Sequence, residues 1–245
     1  VANFKTHVVT AAATSGIAAT VFAGAGIAGA DDIVAYGMLG TIGGMLPDID
    51  SDESSPIRIL FTALGLVGAS LAVSIQALTV SIVELWLVAL LVYALIRYPA
   101  GEIFRRYTVH RGIFHSLVAA GFFGLCAVNL SHYVGGLDAV RAWTAGFFLT
   151  FGYLVHLVLD EIFAVDLFNS RIKRSFGTAV KLIDRNNPKT SALMLTALIA
   201  AYVAAPSSEP FIAVVLDEKT HQSLAERFLP ARFAPVAGPR AAHEP

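Results

Sequence analysis

Four short stretches of the chain carry histidines and aspartates in spacings suited to metal ligation: His7 near the start, Asp48 and Asp50 in LPDID, His110 and His115 bounding HRGIFH, and His156 and Asp160 in HLVLD. On a helix, residues four apart share a face, so His156 and Asp160 can offer an imidazole nitrogen and a carboxylate oxygen to the same ion. His110 and His115 are five apart and cannot share one helix face. His110 is therefore expected to reach in from the preceding loop. Neutral imidazoles and carboxylates without thiolates suit zinc, manganese or iron. The set exceeds what one tetrahedral ion takes, which leaves open one ion or two that share a carboxylate. Two metals roughly 3.5–4 Å apart would clamp the attacking and leaving oxygens of a phosphoester, with a water whose pKa falls to about 7 as nucleophile.

Each piece has a plainer reading as well. His156 and Asp160 could be a hydrogen-bonded pair on a helix surface, the aspartates a solvated turn, and a lone histidine a capping or packing residue. Arg111 could pair with a phosphate oxygen through its planar fork, or only anchor a cytoplasmic helix end. Glu161 and Asp52 are both candidates for a general base, and the sequence does not choose between them. His132, His221 and His243 stand apart from the four stretches.

The elements that must position these groups are membrane helices. The chain has 245 residues, 56% of them hydrophobic and 14% charged, with a mean hydropathy of +0.68, which makes lipid the solvent. A net charge of -1 gives no field for a nucleic-acid partner. The single cysteine, Cys126, excludes an internal disulfide and any site built on two thiolates of this chain. Apolar runs near 7–30, 57–79, 82–97, 112–130, 138–164 and 190–206 approach or exceed the roughly 17–25 residues that a spanning helix needs. A shorter run over 33–46 is either a short span packed through Gly40, Gly43 and Gly44 or a re-entrant segment. The first run, with Lys5 before it and Ala28-Gly29-Ala30 ahead of Asp31, has the outline of a signal peptide but is expected to remain as the first span.

Counting the short run gives an all-α, polytopic bundle of about seven spans, and basic residues then sort by side. Lys5, Arg58, Arg97, Arg105, Arg106, Arg111 and the cluster from Arg171 to Lys189 share the face of the N-terminus, whereas Arg141 alone is basic in the short opposite loops. The N-terminus is thus expected in the cytoplasm. On this topology His7, Asp48, Asp50, His110, His115, His156 and Asp160 all fall at the cytoplasmic face, although they played no part in setting it. Ionisable groups at membrane helices are costly, so such a gathering points to function. Residues 1–206 form the expected membrane domain, including a basic segment, 167–187, whose apolar residues recur at helical spacing. That segment reads as an interfacial helix attracted to anionic lipid head groups, or as an ordinary basic loop. The tail, 207–245, shows no chemistry.

At LPDID, HRGIFHS and GYLVHLVLD, with His7 before the first span, the chain resembles the YdjM-like family, described as LexA-regulated inner-membrane metal-dependent hydrolases. The likeness covers roughly residues 1–170. Where members often carry a histidine after LPDID, Ser51 stands here. The His-x-x-x-Asp spacing is also loosely similar to that of zinc-dependent phospholipases C. The resemblance implies an inner-membrane location and a divalent metal, zinc first. Residues and resemblance together lead to an expected membrane-embedded hydrolase acting on a phospholipid or other lipid-linked phosphoester. The rivals are a metal or proton-coupled transporter and a scaffold stabilised by a structural metal.

Overall fold

The computed structural model describes residues 4–50, 54–77, 79–102, 113–166, 171–172, 180–184 and 187–228. The elements are α1 (Phe4–Gly24), α2 (Asp32–Gly43), a 3-10 turn (Leu46–Asp50), α3 (Ser54–Gln76) and α4 (Ile82–Leu95), which a π turn continues over Ile96–Ala100. They continue with α5 (Leu117–Asn129) and its π turn Leu130–Val134, then α6 (Ala139–Ala164), α7 (Pro188–Ala204), α8 (Glu209–Leu216) and α9 (Glu218–Phe228). Each apolar run read from the sequence falls on a helix. Among the described residues four helical stretches, Phe4–Gly24, Ile82–Ala100, Leu117–Val134 and Ala139–Ala164, are long and apolar enough to cross a membrane. The pair α7 and α8, bent by 82°, makes a fifth if it is one broken span.

Small residues decide how α1, α2 and α6 pack. The buried positions of α1 are His7, Ala11, Ser15 and Ala19, four apart and therefore on one narrow face. A Cβ added at Gly40 would strike the Ser15 hydroxyl, one at Gly44 the Ala11 methyl, one at Gly43 the Leu149 carbonyl and one at Gly152 the Gly40 carbonyl. Close approach through such residues is how helices associate where lipid removes the hydrophobic drive between them. The short run is therefore a helix wedged between α1 and α6. It travels from Tyr36, whose hydroxyl donates to the Arg141 carbonyl at 3.5 Å, to Gly44, whose carbonyl meets His156.

One buried cluster, with Leu46, Ile113, Phe114, Tyr153 and Leu157, fills the His156 end of the bundle. Another, with Ala19, Tyr36, Ala145 and Phe148, fills the opposite end. At that opposite rim Arg141 lies 3.8 Å from Asp32 and 3.9 Å from Asp138, and His132 Nδ1 is 2.8 Å from the Leu137 carbonyl. No described residue of α4 is buried, and Trp86, Leu87, Leu90 and Leu91 stand exposed, as a lipid-facing helix requires.

One expectation is met only in part. Within 167–187, Arg171–Ile172 is a strand paired antiparallel with Val165–Asp166 and Lys181 makes a parallel bridge with Ser116, so these residues are not helical; residues 167–170, 173–179 and 185–186, over which most of the expected interfacial helix falls, lie outside the described residues. Backbone pairing across the chain outweighs the apolar periodicity there. The tail, for its part, is helical over Glu209–Leu216 and Glu218–Phe228, and Leu224 comes within 3.9 Å of a Cβ placed on Gly24. Just before it, Asn129, Tyr133 and Trp143 donate to the carbonyls of Ala201, Ala204 and Pro206 at 2.9, 2.8 and 3.0 Å, satisfying acceptors that the end of α7 leaves open.

Candidate metal centre

His156 and Asp160 lie near the end of α6, one turn apart on its buried face. The Nδ1 of His156 is 2.6 Å from the Gly44 carbonyl, which the end of α2 leaves without a helical partner. A carbonyl only accepts, so Nδ1 carries the proton and Nε2 presents its lone pair to the cluster. Histidine ligands are commonly fixed this way, through the ring nitrogen that does not meet the metal. The glycine contacts between α2 and α6 bring that carbonyl within reach.

His115 arrives from the turn before α5. The Tyr153 hydroxyl donates to the Phe114 carbonyl, which ties this turn to α6. Ser116 caps α5 by accepting from the Ala119 amide at 3.2 Å and donating to the Ile113 carbonyl. The next two amides, of Leu117 and Val118, donate to the carbonyls of Lys181 and Leu182 at 2.9 and 3.4 Å. Three attachments thus hold a loop residue as firmly as a helical one.

Asp48 sits in the 3-10 turn that follows α2, partly exposed, while His7, His115, His156 and Asp160 are buried. Oδ1 of Asp48 is 3.7 Å from His115 Nε2 and 3.5 Å from His156 Nε2. Oδ2 of Asp160 is 3.4 Å from His115 Nε2 and 3.7 Å from His156 Nε2, while its Oδ1 is 3.3 Å from His7 Nε2. Burial pushes the Asp48 carboxyl up, but the imidazole of His156, with those of His115 and His7 behind it, outweighs burial and holds the group below the usual carboxylate range. It is a carboxylate ready to bind a cation.

Two triads have donor atoms close enough to hold an ion: His7, His156 and Asp160, and Asp48, His115 and His156. Nε2 of His156, Oδ1 of Asp160 and Nδ1 of His7 are buried without a hydrogen bond. Buried polar groups in a native protein are nearly always satisfied, and His156 Nε2, which faces the Asp48 and Asp160 carboxylates, fits a cation between them. The chemistry of the set, imidazole nitrogen with carboxylate oxygen, fits the metals expected.

The structure brings together His7, Asp48, His115, His156 and Asp160. Glu161 follows Asp160 on α6, partly exposed, and belongs to neither triad. Asp52, His110 and Arg111, and the side chain of Asp50, lie outside the described residues. Sequence reasoning missed the Gly44 carbonyl and the roles of Tyr153 and Ser116. A backbone acceptor leaves no residue-type signal, whereas the serine before an apolar run was readable as a helix cap.

Long apolar helices around a buried cluster of histidine and aspartate define a multi-pass membrane protein with groups able to bind a metal ion. The family model described as YdjM inner membrane protein matches residues 3–216, and the chain belongs to that family. It is accordingly a multi-pass protein of the inner membrane. The match runs past the first 170 residues and takes in α7 and α8. No curated protein and no solved structure matches the chain.

Proposed function

We propose that the protein is a membrane-embedded, zinc-dependent hydrolase acting on a phospholipid or another lipid-linked phosphoester that enters from the cytoplasmic leaflet. The observation that carries this reading is the convergence of Asp48, His115, His156 and Asp160 from three separate segments, with His156 locked by Gly44 in the tautomer a ligand needs. The topology behind it is seven crossings with the N-terminus in the cytoplasm. It draws support from the sorting of basic residues and from the course of α2 between the two ends of the bundle.

Bound zinc supplies Lewis-acid polarisation of a phosphoryl oxygen and lowers the pKa of water. The protein's own part is to hold the donors in place, to exclude water with Leu46, Ile113, Tyr153 and Leu157, and to orient the phosphoester. Arg111, next to the His115 loop in sequence, would pair with a phosphate oxygen, and Glu161 or Asp52 would take a proton. Lipid head groups and the basic residues of 167–187 would attract each other at the same face.

One observation favours a second reading, a scaffold with a structural metal. Four protein donors complete a tetrahedral shell, whereas a catalytic zinc keeps a position open. For hydrolysis Asp48 must yield that position; among the four it is the one on a turn and partly exposed. The transporter reading has less support. Among the described residues no Asp, Glu, Lys, Arg or His lies in α1 after His7, in α2 after Asp32, or in α6 between Arg141 and His156.

The test is purified protein in lipid nanodiscs with phospholipids and lipid-linked phosphates. Release of head group or phosphate should stop with chelator and return with zinc or manganese, and Arg111→Lys should keep the metal and lose turnover. A metal-loaded preparation that hydrolyses none of these substrates refutes the hydrolase, and metal flux across sealed vesicles would establish the transporter.

A further inference from the structure

We infer that the centre holds a single ion on Asp48, His115, His156 and Asp160, and that His7 is a positioning residue acting on the outer oxygen of Asp160. This rests on the metal reading and adds to it the number of ions and the division of labour among three histidines.

Ring orientation separates the histidines. The rings of His7 and His156 are stacked, with centroids 3.8 Å apart and planes inclined by only 16°. The nitrogen lone pair of an imidazole lies in the ring plane, and a ligated ion sits close to that plane at about 2.0–2.1 Å. Two planes that nearly parallel do not meet within such a bond length of both rings. His7 and His156 therefore cannot ligate one ion together, despite the proximity of their nitrogens. His115 and His156 behave oppositely: their centroids are 5.9 Å apart and their planes inclined by 73°, an inclination that lets the two planes meet at one ion.

Distances then complete the shell. Going round from Asp48 Oδ1 to His115 Nε2, Asp160 Oδ2 and His156 Nε2 and back, the separations are 3.7, 3.4, 3.7 and 3.5 Å. Separations of that size between neighbouring donors suit bonds of about 2.0–2.2 Å from nitrogen and oxygen to one shared zinc ion. His156 closes the alternative of two ions. Its Nδ1 is engaged by Gly44, so only Nε2 is available, and the two triads that share it cannot both be filled. A separate second ion would find, among the described residues, only His7 Nε2 and Asp160 Oδ1, fewer than the three protein ligands of a catalytic zinc site.

His7 thus faces the carboxylate oxygen that the ion leaves over, 3.3 Å away, and lies flat against His156. It sets the rotation of one ligand and the tilt of another. Partners of this kind change metal affinity by about 10- to 100-fold when removed.

Metal analysis and optical spectra of the full-length protein in nanodiscs, titrated with zinc or cobalt(II), test this. Wild type should saturate at one ion per chain and give the intense visible bands of tetrahedral cobalt. His7→Ala should weaken binding by about 10-fold or more with the bands kept. His7→Gln, whose amide can still donate to Asp160, should recover part of that loss; His156→Ala should abolish the bands. Two ions per chain at saturation, or bands in His7→Gln altered as in His156→Ala, would overturn the assignment of His7. No ion in wild type would instead remove the metal reading itself.

Discussion

Gly152→Ala should weaken metal binding without touching a ligand. The added methyl carbon would collide with the Gly40 carbonyl oxygen and stand 2.6 Å from its carbonyl carbon and 2.9 Å from the Gly40 Cα, where ordinary contact begins at 3.4 Å. Backbone cannot rotate away as a side chain can, so α2 and α6 must part by about 1–2 Å, at the roughly 1–3 kcal/mol typical of overpacking. The same movement carries the Gly44 carbonyl off His156 Nδ1. The present 2.6 Å contact would stretch beyond about 3.5 Å, where a hydrogen bond is lost. Asp48, four residues on, would be dragged with it. Removing the partner that orients a histidine ligand lowers metal affinity by about 10- to 100-fold. Competition titration of zinc against a chromophoric chelator would read the affinity, and thermal unfolding in detergent the stability. Gly16→Ala is the control, since nothing lies within 4 Å of its added Cβ. Wild-type zinc affinity in a folded Gly152→Ala variant would refute the coupling between helix packing and ligand geometry.

Two further outcomes are expected. Tyr153→Phe leaves the Phe114 carbonyl without its hydroxyl donor, so it should lower stability by about 1–2 kcal/mol in thermal unfolding and reduce zinc affinity, whereas unchanged values would show that the hydroxyl does not secure the His115 turn. Reporter fusions at the N-terminus and near residue 180 should score cytoplasmic and one after Pro206 should score on the opposite side; a cytoplasmic score there would mean that α2 does not cross.

Much of the site is legible in the sequence because two independent signals, hydrophobic runs and basic residues, already place His7, Asp48, His115, His156 and Asp160 on one face. The helices follow their runs for the same reason. What escapes depends on atoms that spacing does not describe. His7 has the same residue type and the same depth as His115, yet only the inclination of its ring separates a neighbour from a ligand. Periodicity in 167–187 suggests a helix, but the carbonyls of Lys181 and Leu182 are taken by the open amides at the start of α5, a long-range pairing invisible to local pattern. The tail lacks chemistry to notice, and the end of α7 just before it is docked through backbone acceptors at Ala201, Ala204 and Pro206.

The centre draws on residues from position 7 to position 160, and this sets the order of its biogenesis. A chain emerging from the ribosome does not assemble it piecemeal: with α1 and α2 inserted, only His7 and Asp48 are present, and the glycine face of α2 still waits for α6. The cluster closes when α6 enters the bilayer, because that one helix brings His156, Asp160 and the surface against which α2 packs. On the proposed reading, acquisition of an ion is thereby timed to α6, and products of translation truncated before it would bind none.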